Sequence, residues 1–478
     1  MDIRNEYRLF IDGDPVESVT GGRLPIVNPS TETELTTVAA GDSRDVERAV
    51  AAARETLADW RSRPPAERGE LLADVADRIR AAQTELADLE TLDTGKPWSQ
   101  ALVDVDGCAR AFEYYAGIAD KIHGDSIPLG EEYVDYTVRE PLGVTAQIIP
   151  WNYPIGIFGR SVAPALAAGN TAVVKPAEEA PLSSVRVAEI AADAGLPNGV
   201  LNVVPGRGDE AGAALSSHPD VDGVSFTGSV ETGRQVGKAA MEHLAHVHLE
   251  LGGKSPLVVF GDADLDAAIE SAVAGLFTSN AGQICSGASR LLVHEDVHDA
   301  VVEQLAARVE SLTVGPGMDD PDVGPLISAD QLDRVASYVD AGRREYGGPL
   351  IGGVPDRTGY FVEPTIFDDV DHDSRLAQEE IFGPVLVVTT FADETEAVEL
   401  ANDVDYGLVA GVFTEDLRRA HRFARDVHAG QIYVNEWFVG GIETPFGGYD
   451  NSGVGREKGL SAIENYTQEK NVGININP

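Results

Sequence analysis

Apolar positions along the chain change their period, and the changes outline its architecture. After a short extended start with a turn at Asp12 to Pro15, residues 43 to 94 carry apolar side chains at helical spacing. Val46, Ala49, Val50 and Ala53 lie in the first stretch and Leu71, Leu72, Val75, Ala76 and Ile79 in the second, which predicts two long amphipathic helices, the first opening at Ser43. A further helical pattern runs from Val103 to Ile118. Cys108 lies inside it among alanines and aromatic residues, where it is expected to be a small buried hydrophobe.

From Gly143 short apolar runs take over: VTAQIIP, NTAVVKP, VLNVVPG and VDGVSFTG, separated by helical stretches at Gly156 to Leu166, Leu182 to Ala194 and Glu210 to Leu215. A second series follows Glu250, with SPLVVF, a helix through Ala267 to Phe277, then SRLLVH, PVLVVTTF and GLVAGVF. Strands alternating with crossover helices predict an α/β protein of two domains with parallel-type sheets, its ligands outside the carboxyl ends of the strands. The tail YTQEKNVGINI alternates like an edge strand, and with no evident partner nearby it is expected to pair with another subunit.

Charge alters this picture of an ordinary globular chain. Over 478 residues the formal charge is −43, and of 36 basic residues only seven are lysine. Such a surface repels itself in dilute salt, whereas at ~1 M ionic strength the screening length falls to about 3 Å. The acidic residues are scattered rather than massed in blocks, which favours adaptation to the salt-rich cytoplasm of an extreme halophile over a docking face for a basic partner. Nucleic acid is not an expected partner, since no basic face is visible. A membrane is not one either: the N-terminus lacks an apolar signal core and no run of 18 apolar residues occurs. Two cysteines, Cys108 and Cys285, are too few for a disulfide framework or a cysteine-rich metal site, so no metal is expected and the location is expected to be cytoplasmic.

Four stretches place chemically capable side chains at the ends of strand-like runs. In PWNYP, residues 150–154, Asn152 is either an amide donor or a turn former beside proline. In VVKPAEEAP, Lys175 and Glu178 follow a strand where a nucleotide ribose could accept a hydrogen bond from one and donate to the other; a solvated loop is the alternative. FTGSVETG, residues 226–233, is a strand, a glycine turn and a helix start, which can hold a phosphate or be a turn alone; it does not match the GxGxxG fingerprint. ELGGKSP and GQICSG complete the set: Glu250 before two glycines is a candidate base, and Cys285 in a glycine-lined turn is a candidate nucleophile, attacking as thiolate. Spacing does not show that Glu250 and Cys285 meet, and no histidine sits in a recognisable protease context.

These stretches, with EEIFGPV and PFGGYDNSGVGRE, occur in the order found in the NAD(P)-dependent aldehyde dehydrogenase superfamily, which the chain resembles over nearly its whole length. The resemblance implies Cys285 as nucleophile, Glu250 as general base and Asn152 as oxyanion donor beside the Cys285 N–H. It implies Lys175 and Glu178 at the adenosine ribose, Gly228, Ser229 and Gly233 at the pyrophosphate with Trp151 alongside, and Glu380 and Phe382 at the nicotinamide end. Glu457 matches a second internal carboxylate. Glu178 would repel a 2′-phosphate, so NAD is expected, with NADP as the alternative.

Further expectations follow from the family. A modified Rossmann NAD-binding domain would comprise residues 1–118 and 142–252, a catalytic domain 253–461, and a small β element for oligomerisation 119–141 and 462–478, joining a homodimer or homotetramer. The reaction would oxidise a small-molecule aldehyde to the free acid, because Glu250 serves water attack on a thioester; CoA acylation and an idle structural protein of the same fold are the rivals. Where many relatives carry a Trp-Lys pair after PWN, this chain has Arg160 and Ser161. Arg160 either lines the substrate tunnel, able to hold a carboxylate bidentately, or pairs with a neighbouring acid. Tyr153, Trp437 and Phe438 are candidates for the tunnel's aromatic wall. The glycines around Cys285 are expected to leave room for an aldehyde on one side and nicotinamide on the other.

Overall fold

In the computed structural model, which describes residues 3–477, the apolar runs after Gly143 become the core of an eight-stranded sheet. Strands Val144–Ile148, Thr171–Lys175, Leu201–Val203, Gly223–Thr227 and His246–Glu250 are parallel neighbours. Their near-continuous Val, Ile and Leu content follows from burial on both faces by helices. The chain leaves Val144–Ile148 in both directions: Thr171–Lys175 and Leu201–Val203 lie to one side, Gly223–Thr227 and His246–Glu250 to the other. That reversal opens a crevice beyond the carboxyl ends of Ile148 and Thr227. At the far edge, Leu9–Ile11 and Asp14–Val16 form a hairpin turned by Asp12 and Gly13, both at positive φ (55° and 82°), the backbone a two-residue hairpin loop requires.

The second series builds a seven-stranded sheet in which Pro256–Val259, Arg290–His294, Val385–Phe391, Val409–Phe413, Glu363–Phe367 and Gln431–Val434 run parallel, closed at one edge by antiparallel Ile351–Gly353. The last three of these strands are short or interrupted by glycine and proline, and their apolar pattern alone did not mark them.

Two expectations are corrected. Residues 43 to 94 form three helices, Ser43–Ser62, Pro65–Ala81 and Gln83–Thr94, because the chain leaves helical geometry at Ala82 (φ −97°, ψ 12°). The first is capped by Asp42, whose side chain accepts from the backbone while Asp45 reaches back. The terminal strand Thr467–Asn475 has a partner in its own chain: it pairs antiparallel with Tyr133–Pro141 over nine residues. In that three-stranded sheet it is the edge, so its other side stays open, beside exposed Tyr133, Val134, Tyr136 and Ile474.

Helices Trp98–Ala116 and Pro154–Ala168 pack so tightly that a side chain at Gly159 would meet the Cys108 Cα at 2.8 Å. Cys108 is fully buried there, as its setting predicts. Backbone cannot yield cheaply, so Gly159→Val is expected to destabilise by about 1–3 kcal/mol through overpacking. Gly107, exposed on the same helix with nothing within 4 Å, offers the control: Gly107→Ala is expected to stabilise by up to about 1 kcal/mol. Apparent melting temperatures that move in opposite directions would bear this out; equal temperatures would refute it.

Candidate active site

The Cys285 loop joins the wide helical turn Val273–Phe277 to strand Arg290–His294. Asn280, Ala281 and Gly282 all take positive φ (50°, 53° and 73°), reversing the chain within three residues. A Cβ at Gly282 would fall 2.2 Å from the Gly383 carbonyl oxygen, so this glycine seats the loop against EEIFGPV. It does not leave room for substrate or nicotinamide, which corrects the expectation for that position. Cys285 itself is half-buried and free.

Gly252 and Gly253 explain how Glu250 reaches the same place. Side chains there would lie 2.4 Å from the Glu380 carboxylate and 2.4 Å from the Cys285 carbonyl oxygen. Two loops from different sheets therefore touch through glycine, and Glu250 and Cys285 line one cavity of about 220 Å³. Asn152, four residues beyond the end of Val144–Ile148, lines it too. Its Nδ2 donates to the Gln283 carbonyl at 2.9 Å and its main-chain carbonyl accepts from Asn280 Nδ2 at 2.8 Å, so side chain and backbone of Asn152 are both tied to the Cys285 loop. The Cys285 N–H donates to no protein group among the described residues.

Cys285 and Asn152 also line a second cavity of about 360 Å³, with Gln100, Asp104, Tyr153, Arg160, Tyr433, Phe438, Phe446 and Lys458 among its walls. The two cavities meet at the cysteine. Trp437 is not part of this wall: its ring lies buried against Gly275 and Gly411, where a Cβ would meet it at 2.9 and 2.6 Å, and Phe438 takes the position at the cavity. Arg160 is paired with a neighbouring acid and also lines this cavity. It faces the cavity, stacks over Phe446 at 4.9 Å, and donates to the buried Glu457. Asp104 is paired with buried Lys96 at 2.5 Å, and Lys96 also sits 4.3 Å over the Tyr153 ring.

On the other side, a cleft of about 700 Å³ follows the crevice of the first sheet, lined by Trp151, Lys175, Glu178, Gly208, Gly228, Ser229 and Thr232. Lys175 and Glu178 are 3.0 Å apart, and Glu178 also accepts from the Gly208 N–H at 3.2 Å. Burial pushes the Glu178 carboxyl up, but the Lys175 charge and these hydrogen bonds outweigh it, leaving it below its ordinary value and ionised. Ser229 caps helix Val230–Glu242 by accepting from the Thr232 N–H, and both residues line the cleft. Gly233 is not at the cleft: a Cβ there would strike Leu251 at 2.4 Å, so it lets the helix pack on the sheet. Trp151 meets Phe382 edge to face at 5.3 Å, and Glu380 accepts from the Gly253 N–H at 2.9 Å.

Burial governs the protonation of the reacting groups. It pushes the Cys285 thiol up to about 12, with Arg160 pulling the other way. It pushes the Glu250 carboxyl up to about 7, opposed by His248 and Arg160 and reinforced by Glu457. Neither carboxylate oxygen of Glu250 has a hydrogen-bond partner, which suits a group whose partner arrives with the reaction. His248, Lys458, Tyr433 and Phe446 were not singled out from sequence. For His248 a signal existed: it alternates with Glu250 on one strand and so shares its face.

The pattern of the Aldehyde dehydrogenase family matches residues 16–472. The chain is 45% identical over 475 residues to a hydroxyisobutyraldehyde dehydrogenase of Mycolicibacterium austroafricanum, covering 98% of this chain and 94% of that one. It is 45% identical over 472 residues to a betaine aldehyde dehydrogenase of Cereibacter sphaeroides, covering 98% and 97%. The NAD+ complex of an aldehyde dehydrogenase from Bacillus cereus superposes with a TM-score of 0.97 at 42% identity, covering 99% and 97%. No helix among the described residues is long and apolar enough to cross a membrane. The chain belongs to the aldehyde dehydrogenase family.

Proposed function

We propose that this enzyme oxidises an aldehyde to the free carboxylic acid with NAD. The observation that carries the proposal is the meeting of two cavities at Cys285 and Asn152, with the unpartnered Glu250 carboxylate on the nucleotide side. The Cys285 thiol gives up its proton to water in the cavity as Sγ adds to the aldehyde carbon, and negative charge develops on the former carbonyl oxygen. Asn152 Nδ2 and the Cys285 N–H answer that charge, a contribution worth about 10²- to 10³-fold per donor. NAD, held by Trp151, Lys175, Glu178, Ser229, Glu380 and Phe382, supplies the acceptor for the hydride that leaves the carbon. Cys285 then carries a thioester, and Glu250 takes a proton from the water that cleaves it. The ionised Glu178 works against a 2′-phosphate, which favours NAD over NADP.

Cys285→Ala is expected to abolish NADH formation without lowering the melting temperature. Glu250→Gln is expected to give one turnover of NADH per site and then stall, and steady turnover by that variant would remove the base. Since Glu250 must be ionised to act, thioester release should rise with pH through about 7 and fall roughly tenfold per unit below it. A strict requirement for CoA would exclude hydrolytic release altogether.

For the substrate, Lys458 lines the 360 Å³ cavity without an ion-pair partner among the described residues, beside Arg160, which Glu457 engages, and Asp104, which Lys96 engages. This lining disfavours a quaternary ammonium aldehyde such as that named for one relative, and favours neutral or carboxylate-bearing aldehydes. Specificity constants across both classes should show that order, and Arg160→Ala should weaken preference for the carboxylate-bearing ones; a betaine aldehyde preference would refute the reading.

We also infer that residues 1–118 and 142–252 form the NAD-binding domain, 253–461 the catalytic domain, and 119–141 with 462–478 the bridge of a homodimer or homotetramer. The open edge of Thr467–Asn475 and the apolar residues beside it support the bridge. The charge of −43 supports a salt-rich cytoplasm as the working environment. Raising KCl from ~0.1 M to ~2 M should therefore raise the melting temperature by screening like charge. Sedimentation in the higher salt should show a dimer or tetramer; a monomer would refute the bridge.

A further inference from the structure

His248 is a buried titratable group that the mechanism above leaves unused. It and Glu250 are alternate residues of strand His246–Glu250, each 2% exposed, with His248 Nε2 3.4 Å from Glu250 Oε1. His248 Nε2 and both carboxylate oxygens lack any hydrogen-bond partner. The ring is held in place from two sides. Its Nδ1 lies 3.0 Å from Ser225 Oγ, its register partner on the adjoining strand, and a Cβ at Gly455 would touch its Cδ2 at 2.5 Å. Imidazole orientation of this kind fixes which nitrogen is free, here the one turned toward Glu250.

The other groups around this pair are already engaged. Glu457 is bound to Arg160, Cys285 is the nucleophile, and the Tyr466 hydroxyl near Ser225 donates to Gln147 at 3.3 Å. We propose that His248 is a positioning residue for Glu250 that also stores its proton during thioester hydrolysis; this rests on the hydrolytic reading above. The water O–H bond breaks, its proton passes to Glu250 Oε1, and the hydroxide adds to the thioester carbon. The carbon–sulfur bond then breaks with its electron pair on Cys285 Sγ. The proton moves from Glu250 to His248 Nε2, giving carboxylate and imidazolium, and returns through Glu250 to the Cys285 thiolate once the acid has left. No oxidant or further reactant is required.

His248→Gln keeps a hydrogen-bonding side chain but cannot accept the proton. Stopped-flow NADH formation should show an unchanged burst rate, a burst amplitude near one per site, kcat at least about tenfold lower, and KM unchanged or lower. The pH at half-maximal kcat should move upward, because Glu250 loses the neighbour that holds its carboxyl down and takes its proton, and added imidazole should restore part of kcat. Ser225→Ala, which frees Nδ1, should shift the profile in the same direction by less, and serves if His248→Gln does not fold. Unchanged kcat and pH profile in both variants would overturn the proposal, as would equal loss of burst rate and kcat without imidazole rescue. Failure of the hydrolytic reading itself is read separately, from steady turnover in Glu250→Gln.

Discussion

Everything at this site depends on a contact that only missing side chains permit. Gly253 brings the end of one sheet against the Cys285 loop of the other, and Gly252 brings it against the Glu380 carboxylate, within distances that any Cβ would violate. Gly282 repeats the device between that loop and Gly383. Three separately folded loops are thereby locked backbone to backbone. Reactive side chains placed on such a junction need no long, floppy reach to meet.

The same packing sets the chemistry by withholding water. A chain with so much acid on its outside pairs several of its interior charges: Arg160 with Glu457, Lys96 with Asp104, and Lys175 with Glu178. Glu250 and His248, by contrast, are adjacent yet unbonded. Paired groups are costly to disturb, whereas an unpaired carboxylate raised by burial can change its protonation within the working pH range.

Much of this was legible in the sequence because strands alternate with period two and helices repeat near four, so the parallel core after Gly143 and the identity of its carboxyl-end residues followed from pattern. The break at Ala82 was not, since no glycine or proline marks it and only the packed geometry shows it. Gly233 and Trp437 were misplaced for a shared reason: glycine and tryptophan serve cores and clefts alike, and the neighbour that decides, Leu251 or Gly275 and Gly411, is distant in sequence. The partner of Thr467–Asn475 lies more than 300 residues upstream, beyond any local pattern. Cys285 and Glu250 could be named one by one, but their sharing of a cavity is a property of the fold.

The two cavities that join at Cys285 share only that residue and Asn152 and are otherwise lined by different side chains. On the proposed reaction, aldehyde and nucleotide would reach Cys285 from these two different linings, the aldehyde passage being the 360 Å³ cavity. A blocking compound lodged in the aldehyde passage would trap the nucleotide's neighbour without displacing the nucleotide, so inhibition there is expected to be uncompetitive or noncompetitive with respect to the coenzyme.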